Sequence, residues 1–143
     1  MERQYPSHPM VGVGTLIKKG DEILLVQRRY EPDTELWTIP GGLVELGEGV
    51  RDAARRETRE ETSLDVEIKR LLDVVDRVIH DEEGRIRYHY ILVDFLAYPI
   101  GGELKISPDE LLAAQWVSLE EIDRYPLPRE LKCLIENIKE NNV

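Results

Sequence analysis

The chain has one cysteine, Cys133. This excludes an internal disulfide and a thiolate metal cluster, and it leaves a small core or semi-exposed residue as the plain reading of that side chain. Histidine is scarce too, and His8, His80 and His89 show no metal-ligand spacing. No stretch approaches the roughly 18 to 20 apolar residues needed to span a bilayer, and no apolar run precedes Met10, so a soluble chain with no membrane partner is expected. Positive charge is in deficit: 19 Lys and Arg face 29 Asp and Glu, for a formal net charge of -10. Nucleic-acid polymers and anionic membranes are drawn to basic surfaces, so neither is an expected partner. A small anionic ligand would need cations to be welcome on such a chain. A reducing, cytoplasmic location fits the lack of disulfides.

What is present suits a single domain over 1–143, since 41% of the residues are hydrophobic and no repeat, low-complexity tract or boundary breaks the chain. Met1 to Pro9 are polar with two prolines and read as a loose leader. Met10 to Lys18 and Glu22 to Arg28 form a strand pair turned at Lys19-Gly20-Asp21. Arg29 to Glu35 is loop-like, and Leu36 to Pro40 is a short apolar run leading into Gly41-Gly42. Asp65 to His80 holds two β-leaning halves with a bend near Arg70, and Asp81 to Gly84 is a turn. Ile86 to Tyr98, rich in β-branched and aromatic residues, is the strongest strand and is expected to pair back on its predecessor. Gln115 to Val117 is a brief strand. Leu119 to Tyr125 is a short helix with Ser118 as N-cap and Glu121 three residues on. Pro128 to Asn142 is a last helix whose Leu131, Leu134, Ile135 and Ile138 recur at helical spacing.

The informative stretch is Gly41 to Leu64, GGLVELGEGVRDAARRETREETSL. On a helix, Val50, Ala53, Ala54, Glu57 and Glu61 share one face, while Arg51, Asp52, Arg55, Arg56 and Arg59 point away from it. Two carboxylates therefore sit on the apolar side, one turn apart, where like charges repel by roughly 0.2 to 0.5 kcal/mol even in water. A divalent cation held by oxygen ligands would offset that repulsion. The alternative is a solvated helix whose inward glutamates reach water or an arginine.

From Gly42 the pattern runs through five residues to Glu48 and seven more to Arg56-Glu57-Thr58-Arg59-Glu60-Glu61-Thr62-Ser63-Leu64. This resembles the Nudix box of the Nudix hydrolases, with Gly42, Glu48, Arg56, Glu57, Glu60, Glu61 and Leu64 meeting its requirements. Two positions depart. Thr58 stands where an aliphatic residue is common and is expected to do little harm. Ser63 replaces a glycine, at roughly 1 to 2 kcal/mol if the residue must be left-handed. The resemblance implies an α/β/α sandwich with a mixed β-sheet between helices. It also implies magnesium-dependent hydrolysis, with manganese as the alternative ion, of the pyrophosphate in a nucleoside diphosphate linked to another group.

Carried over residue by residue, Glu57, Glu60 and Glu61 are the metal-binding or base glutamates, and the carbonyl of Gly41 is a further metal ligand. Arg56 is an orienting partner for Glu48 or Glu57. Glu60 lies about 80 degrees off the carboxylate face and is kept because the family pattern keeps it. Glu110, six residues before Trp116, best matches a further catalytic carboxylate that the family often draws from a loop before the last strand, with Asp109 and Glu103 as rivals. Arg28 could contact phosphate or be a surface arginine. Trp37 could stack on a base or be packing, Gly42 lets the backbone approach the substrate, and Glu45 holds the loop. Three substrate-subfamily marks are absent from Ile79 to Glu82, about fifteen to eighteen residues past the box. The chain as a whole is similar to small ADP-ribose pyrophosphatases, so ADP-ribose leads, with a housecleaning (d)NTP pyrophosphatase as the alternative. A non-hydrolytic nucleotide sensor would be expected to lose box glutamates, and Glu48, Glu57, Glu60 and Glu61 are all kept. A homodimer is a further expectation the resemblance allows.

Overall fold

The computed structural model describes residues 3–140. Its organising element is β1 (Met10–Lys19), which is buried on both faces and takes part in two halves of one seven-stranded mixed sheet. Along most of its length β1 runs parallel to β6 (Ile86–Gly101), from Met10↔Tyr90 to Ile17↔Ala97. Its first half also pairs antiparallel with β4 (Gly41–Leu43), matching Gly12 to Leu43 and Gly14 to Gly41. β2 (Glu22–Arg28) meets β1 only beside the turn, at Lys18↔Ile23 and Lys19↔Glu22. Beyond that point β2 peels away and pairs with β3 (Trp37–Thr38) and β7 (Leu111–Ser118). A cleft opens between the Arg28 end of β2 and β4.

One helix covers each side. α1 (Val50–Thr62) lays Ala53 and Ala54 on Val13 and Phe95; two alanines let the helix approach the sheet closely. It ends at Ser63, which is left-handed at φ 65°, so the cost attached to losing glycine there applies. The Ser63 N–H donates to the Arg59 carbonyl at 2.9 Å, as a glycine's would, and its hydroxyl donates to the Lys105 carbonyl at 3.0 Å, a bond glycine lacks that offsets part of that cost. α2 (Arg129–Glu140) buries Leu131, Leu134, Ile135 and Ile138 against Leu16, Ile23, Leu25 and Leu96 on the opposite face, each side chain contributing roughly 1.5 to 3 kcal/mol. The α/β/α sandwich is therefore present. None of the helices is long and apolar enough to cross a membrane, among the described residues.

Several sequence expectations need correction. Residues 3–9 are not a loose leader: the Tyr5 N–H donates to the Arg87 carbonyl at 2.8 Å, and its hydroxyl donates to Asp81 at 2.9 Å. The bend near Arg70 is a β-bulge inside one continuous strand, β5 (Asp65–His80), which pairs with β6 over its whole length. β7 is longer than Gln115 to Val117 because Leu111, Ala113 and Ala114 also find partners on β2. The helix expected at Leu119 to Tyr125 is reduced to a single 3-10 turn at Ile122–Arg124. There the Ser118 hydroxyl accepts from the Glu120 N–H, so the capping-box pairing does not form. α2 is described over Arg129–Glu140; Asn141 and Asn142, the end of the expected helix, lie outside the described residues. Cys133 is exposed.

Candidate active site

The apolar face of α1 points its two carboxylates at β4, and glycine makes the approach possible. A Cβ at Gly42 would overlap the Glu57 carboxyl. Arg56 does not point to solvent as the helical wheel suggests. It folds back over the loop after β4 and gives Nε to Glu48 at 2.7 Å and Nη2 to Glu48 at 2.9 Å, a bidentate pair. The same guanidinium reaches Glu57 at 2.8 Å, Glu60 at 3.3 Å and the Leu43 carbonyl at 3.0 Å. Glu48 also accepts from the Glu45 N–H at 3.1 Å, so Glu45 does hold the loop, through its backbone. These hydrogen bonds, those from Arg56 foremost, hold the Glu48 carboxyl at about 2. Glu48 is thus a fixed anion that anchors Arg56, and Arg56 in turn orients Glu57.

Glu61 is 3% exposed and is gripped from two sides. Arg28 donates to Oε2 at 2.5 Å, and the Gly41 N–H donates to Oε1 at 3.1 Å. Arg28 also reaches the Ile39 carbonyl at 2.9 Å and the Gly41 carbonyl at 3.4 Å, so it is no free surface arginine. Burial pushes the Glu61 carboxyl up, against the pull of Arg28. Burial likewise raises Glu57, with the negative charge of Glu61 adding to it and Arg56 opposing.

The cleft between the two halves of the sheet is a cavity of about 690 Å³. Glu57, Glu60, Glu61, Arg28, Gly41 and Gly42 line one end of it. Glu60 is mostly exposed, at 60%, and reaches the rim. The loop after β6 hooks onto the end of α1, where the N–H groups of Lys105 and Ser107 donate to the carbonyls of Thr62 and Glu61, each at 2.9 Å. This docking brings Asp109 and Glu110 to the same rim, whereas Glu103 is not among the lining residues. Trp37 is also absent from the lining. Its ring meets Tyr125 edge-to-face at 5.3 Å and packs on the α2 core, so the base-stacking reading gives way to packing. Thr58 is fully buried, and its Oγ1 has no partner among the described residues, so this departure from the family pattern is less harmless than expected. The far end of the cavity, with Tyr30, Asp33, Arg77 and Asp94, went unnoticed in the sequence. Asp94 alone left a signal there, as the only acid inside the apolar run ILVDFLA.

Among the described residues no three acidic or imidazole side chains converge on one point; Glu57, Glu60 and Glu61 are each drawn towards an arginine. The donor chemistry nevertheless suits a hard divalent cation. Every candidate ligand is an oxygen, two of the carboxylates are held where burial opposes their charge, and Gly42 lets the Glu57 carboxyl lie directly against the β4 backbone.

Residues 7–138 match the model of the NUDIX domain. A Methanocaldococcus jannaschii protein named ADP-ribose pyrophosphatase is 37% identical over 123 residues, covering 86% of this chain and 70% of that one. The NAD-capped RNA hydrolase NudC of Pectobacterium carotovorum subsp. carotovorum is 33% identical over 128 residues, 89% of this chain, and the chain spans only 45% of that relative's length. In three dimensions the MutT NUDIX hydrolase of Burkholderia pseudomallei superposes with a TM-score of 0.77 at 32% identity, over 91% of this chain and 98% of the other. With Glu57, Glu60 and Glu61 of the box gathered around one end of the cleft and the domain model spanning nearly the whole sequence, the chain belongs to the Nudix family of hydrolases, which act on phosphorus-containing acid anhydrides.

Proposed function

We propose that the protein hydrolyses the pyrophosphate bond of a nucleoside diphosphate linked to a second group, with ADP-ribose as the leading substrate. The observation that carries this reading is Glu57 and Glu61, one turn apart on the inward face of α1, at the end of a cavity large enough for a nucleotide. The name of the Methanocaldococcus jannaschii relative supplies the choice of substrate. Glu57, Glu60, Glu61 and the Gly41 carbonyl would hold magnesium, with manganese as the alternative. The ion, when bound, supplies charge neutralisation at the phosphates and lowers the pKa of water.

The chain's own residues do the remainder. Glu48 fixes Arg56, and Arg56 sets the rotamer of Glu57, so the carboxylates meet the substrate already oriented. Arg28 and Gly42 line the wall that receives the phosphates. A water oxygen attacks one phosphorus, the bond from that phosphorus to the bridging oxygen breaks, and the bridging oxygen leaves on the other phosphate. The water's proton passes to a carboxylate of the cluster, Glu57, Glu60 or Glu110. With ADP-ribose the products are AMP and ribose 5-phosphate.

The test is product release from ADP-ribose, NADH, dinucleoside polyphosphates, nucleotide sugars and (d)NTPs, each with magnesium and with a chelator. Magnesium-dependent cleavage of ADP-ribose far above the others is the expected result. A (d)NTP cleaved best would replace the substrate, and silence across the panel would overturn the hydrolytic reading.

A further inference from the structure

The far end of the cavity is acidic, and its acids are partnered with one exception. Asp33 forms a bidentate pair with Arg77, and Glu130 meets the same arginine at 3.2 Å. Glu31 accepts from Tyr88 and Arg87. Asp94, on β6, has no hydrogen bond or ion pair among the described residues, although it is only 8% exposed. What remains open of it faces the cavity. The charges that act on it, Asp73 from β5 and Glu130 from α2, both repel it. Space for the carboxyl comes from Gly14 on β1, where a Cβ would overlap the Asp94 carboxyl oxygen. The fold thus gives up a side chain to seat a carboxylate that nothing within the chain rewards. A buried charge left unpaired is costly, and a ligand that donates hydrogen bonds would repay it.

The surroundings say what sort of donor fits. Leu92, Leu131 and Leu134 line the same region, so the partner has apolar faces and a polar edge. Gly41, Gly14 and Asp94 stand in one row across β4, β1 and β6. Two strand spacings put about 10 Å between the Gly41 and Asp94 backbones, and the Asp94 carboxyl leans over Gly14 between them. We propose that Asp94 selects the nucleobase, accepting a hydrogen bond from the exocyclic amino group of a purine. An ionised carboxylate can only accept, so it favours a base carrying that amino group over one lacking it. The inference rests on the reading that a purine nucleotide fills the cavity with its phosphates towards α1.

Equilibrium binding tests it without turnover. With magnesium present at about pH 8, AMP is compared with purine riboside 5′-monophosphate, and GMP with inosine monophosphate; each pair differs by one amino group. The wild-type protein is expected to favour the amino-bearing member of at least one pair by about tenfold to a hundredfold, the span for a hydrogen bond to a charged group. Asp94→Leu is expected to fold, since it removes an unpaired charge, and to bring that ratio close to one. Equal binding in both pairs by the wild-type protein, or a preference that survives Asp94→Leu, overturns the proposal. Intact discrimination with no hydrolysis of any compound in the panel would overturn the hydrolytic reading alone.

Discussion

Replacing Asp94 with asparagine should stabilise the protein at neutral and alkaline pH and change little in acid. Burial, with Asp73 and Glu130 adding repulsion, moves the Asp94 carboxyl from 3.8 up to about 6. Between about pH 4 and pH 6 the folded chain holds a proton there that the unfolded chain has lost. Raising the pH through that window therefore favours unfolding. Above it the ionised carboxylate costs the folded state about 3 kcal/mol, and asparagine, which cannot ionise, avoids this. For a chain of this size the gain corresponds to about 10 °C in melting temperature. Urea denaturation of both proteins at about pH 4 and pH 8 measures it. The midpoints should lie close together at the lower pH and well apart at the higher, with the variant ahead. A gap of the same size at both pH values, or a wild-type protein that is more stable at pH 8, would refute the reasoning, because either result means that the carboxylate is satisfied in the folded state.

The remaining predictions concern α1. Glu57→Gln should lower kcat by about 10²- to 10⁴-fold while the far-UV circular dichroism and the melting curve stay close to wild type; an unchanged rate would remove Glu57 from the chemistry. Arg56→Lys keeps the charge but loses the fork that binds Glu48 through two nitrogens, so turnover should fall together with magnesium affinity. A fall confined to thermal stability would make Arg56 a loop anchor only. Thr58→Val removes a buried hydroxyl without a partner and should raise stability by about 1 kcal/mol at unchanged activity, read from chemical denaturation; a loss of stability would mean the hydroxyl is bonded.

What could be read from the sequence follows from how local each feature is. Glu57 and Glu61 lie one turn apart on one helix, so spacing alone put them on a shared face, while Gly42, Glu48, Arg56 and the left-handed Ser63 that closes the helix became legible only through the resemblance to the Nudix box. Alternation and turn signals also located β1 and β2, β-branched and aromatic content located β6, and helical spacing located the core face of α2. Features set by distant partners were harder to see. The direction of Arg56 depends on an anion eight residues upstream on a loop, and a helical wheel cannot show that. For Trp37 the sequence leaves base stacking and packing open, and the edge-to-face contact with Tyr125 favours packing; residues 3–9 read as loose, whereas Asp81 and the Arg87 carbonyl hold Tyr5.

The cleft itself was the least legible feature, because it belongs to no segment. It exists because β2 pairs with β1 for only two residues and then leaves, while β4 takes the vacated edge further along. Arg28 and Gly41 are thirteen residues apart in the chain, yet they face each other across that cleft with Glu61 between them. The same splaying exposes the floor of β1 and β6, where Gly14 makes room for Asp94. One geometric event, the parting of β2 from β1, thus creates both ends of the cavity. A substitution that lengthened the β1–β2 pairing would be expected to pull Arg28 away from Glu61 and to narrow the space above Asp94 together.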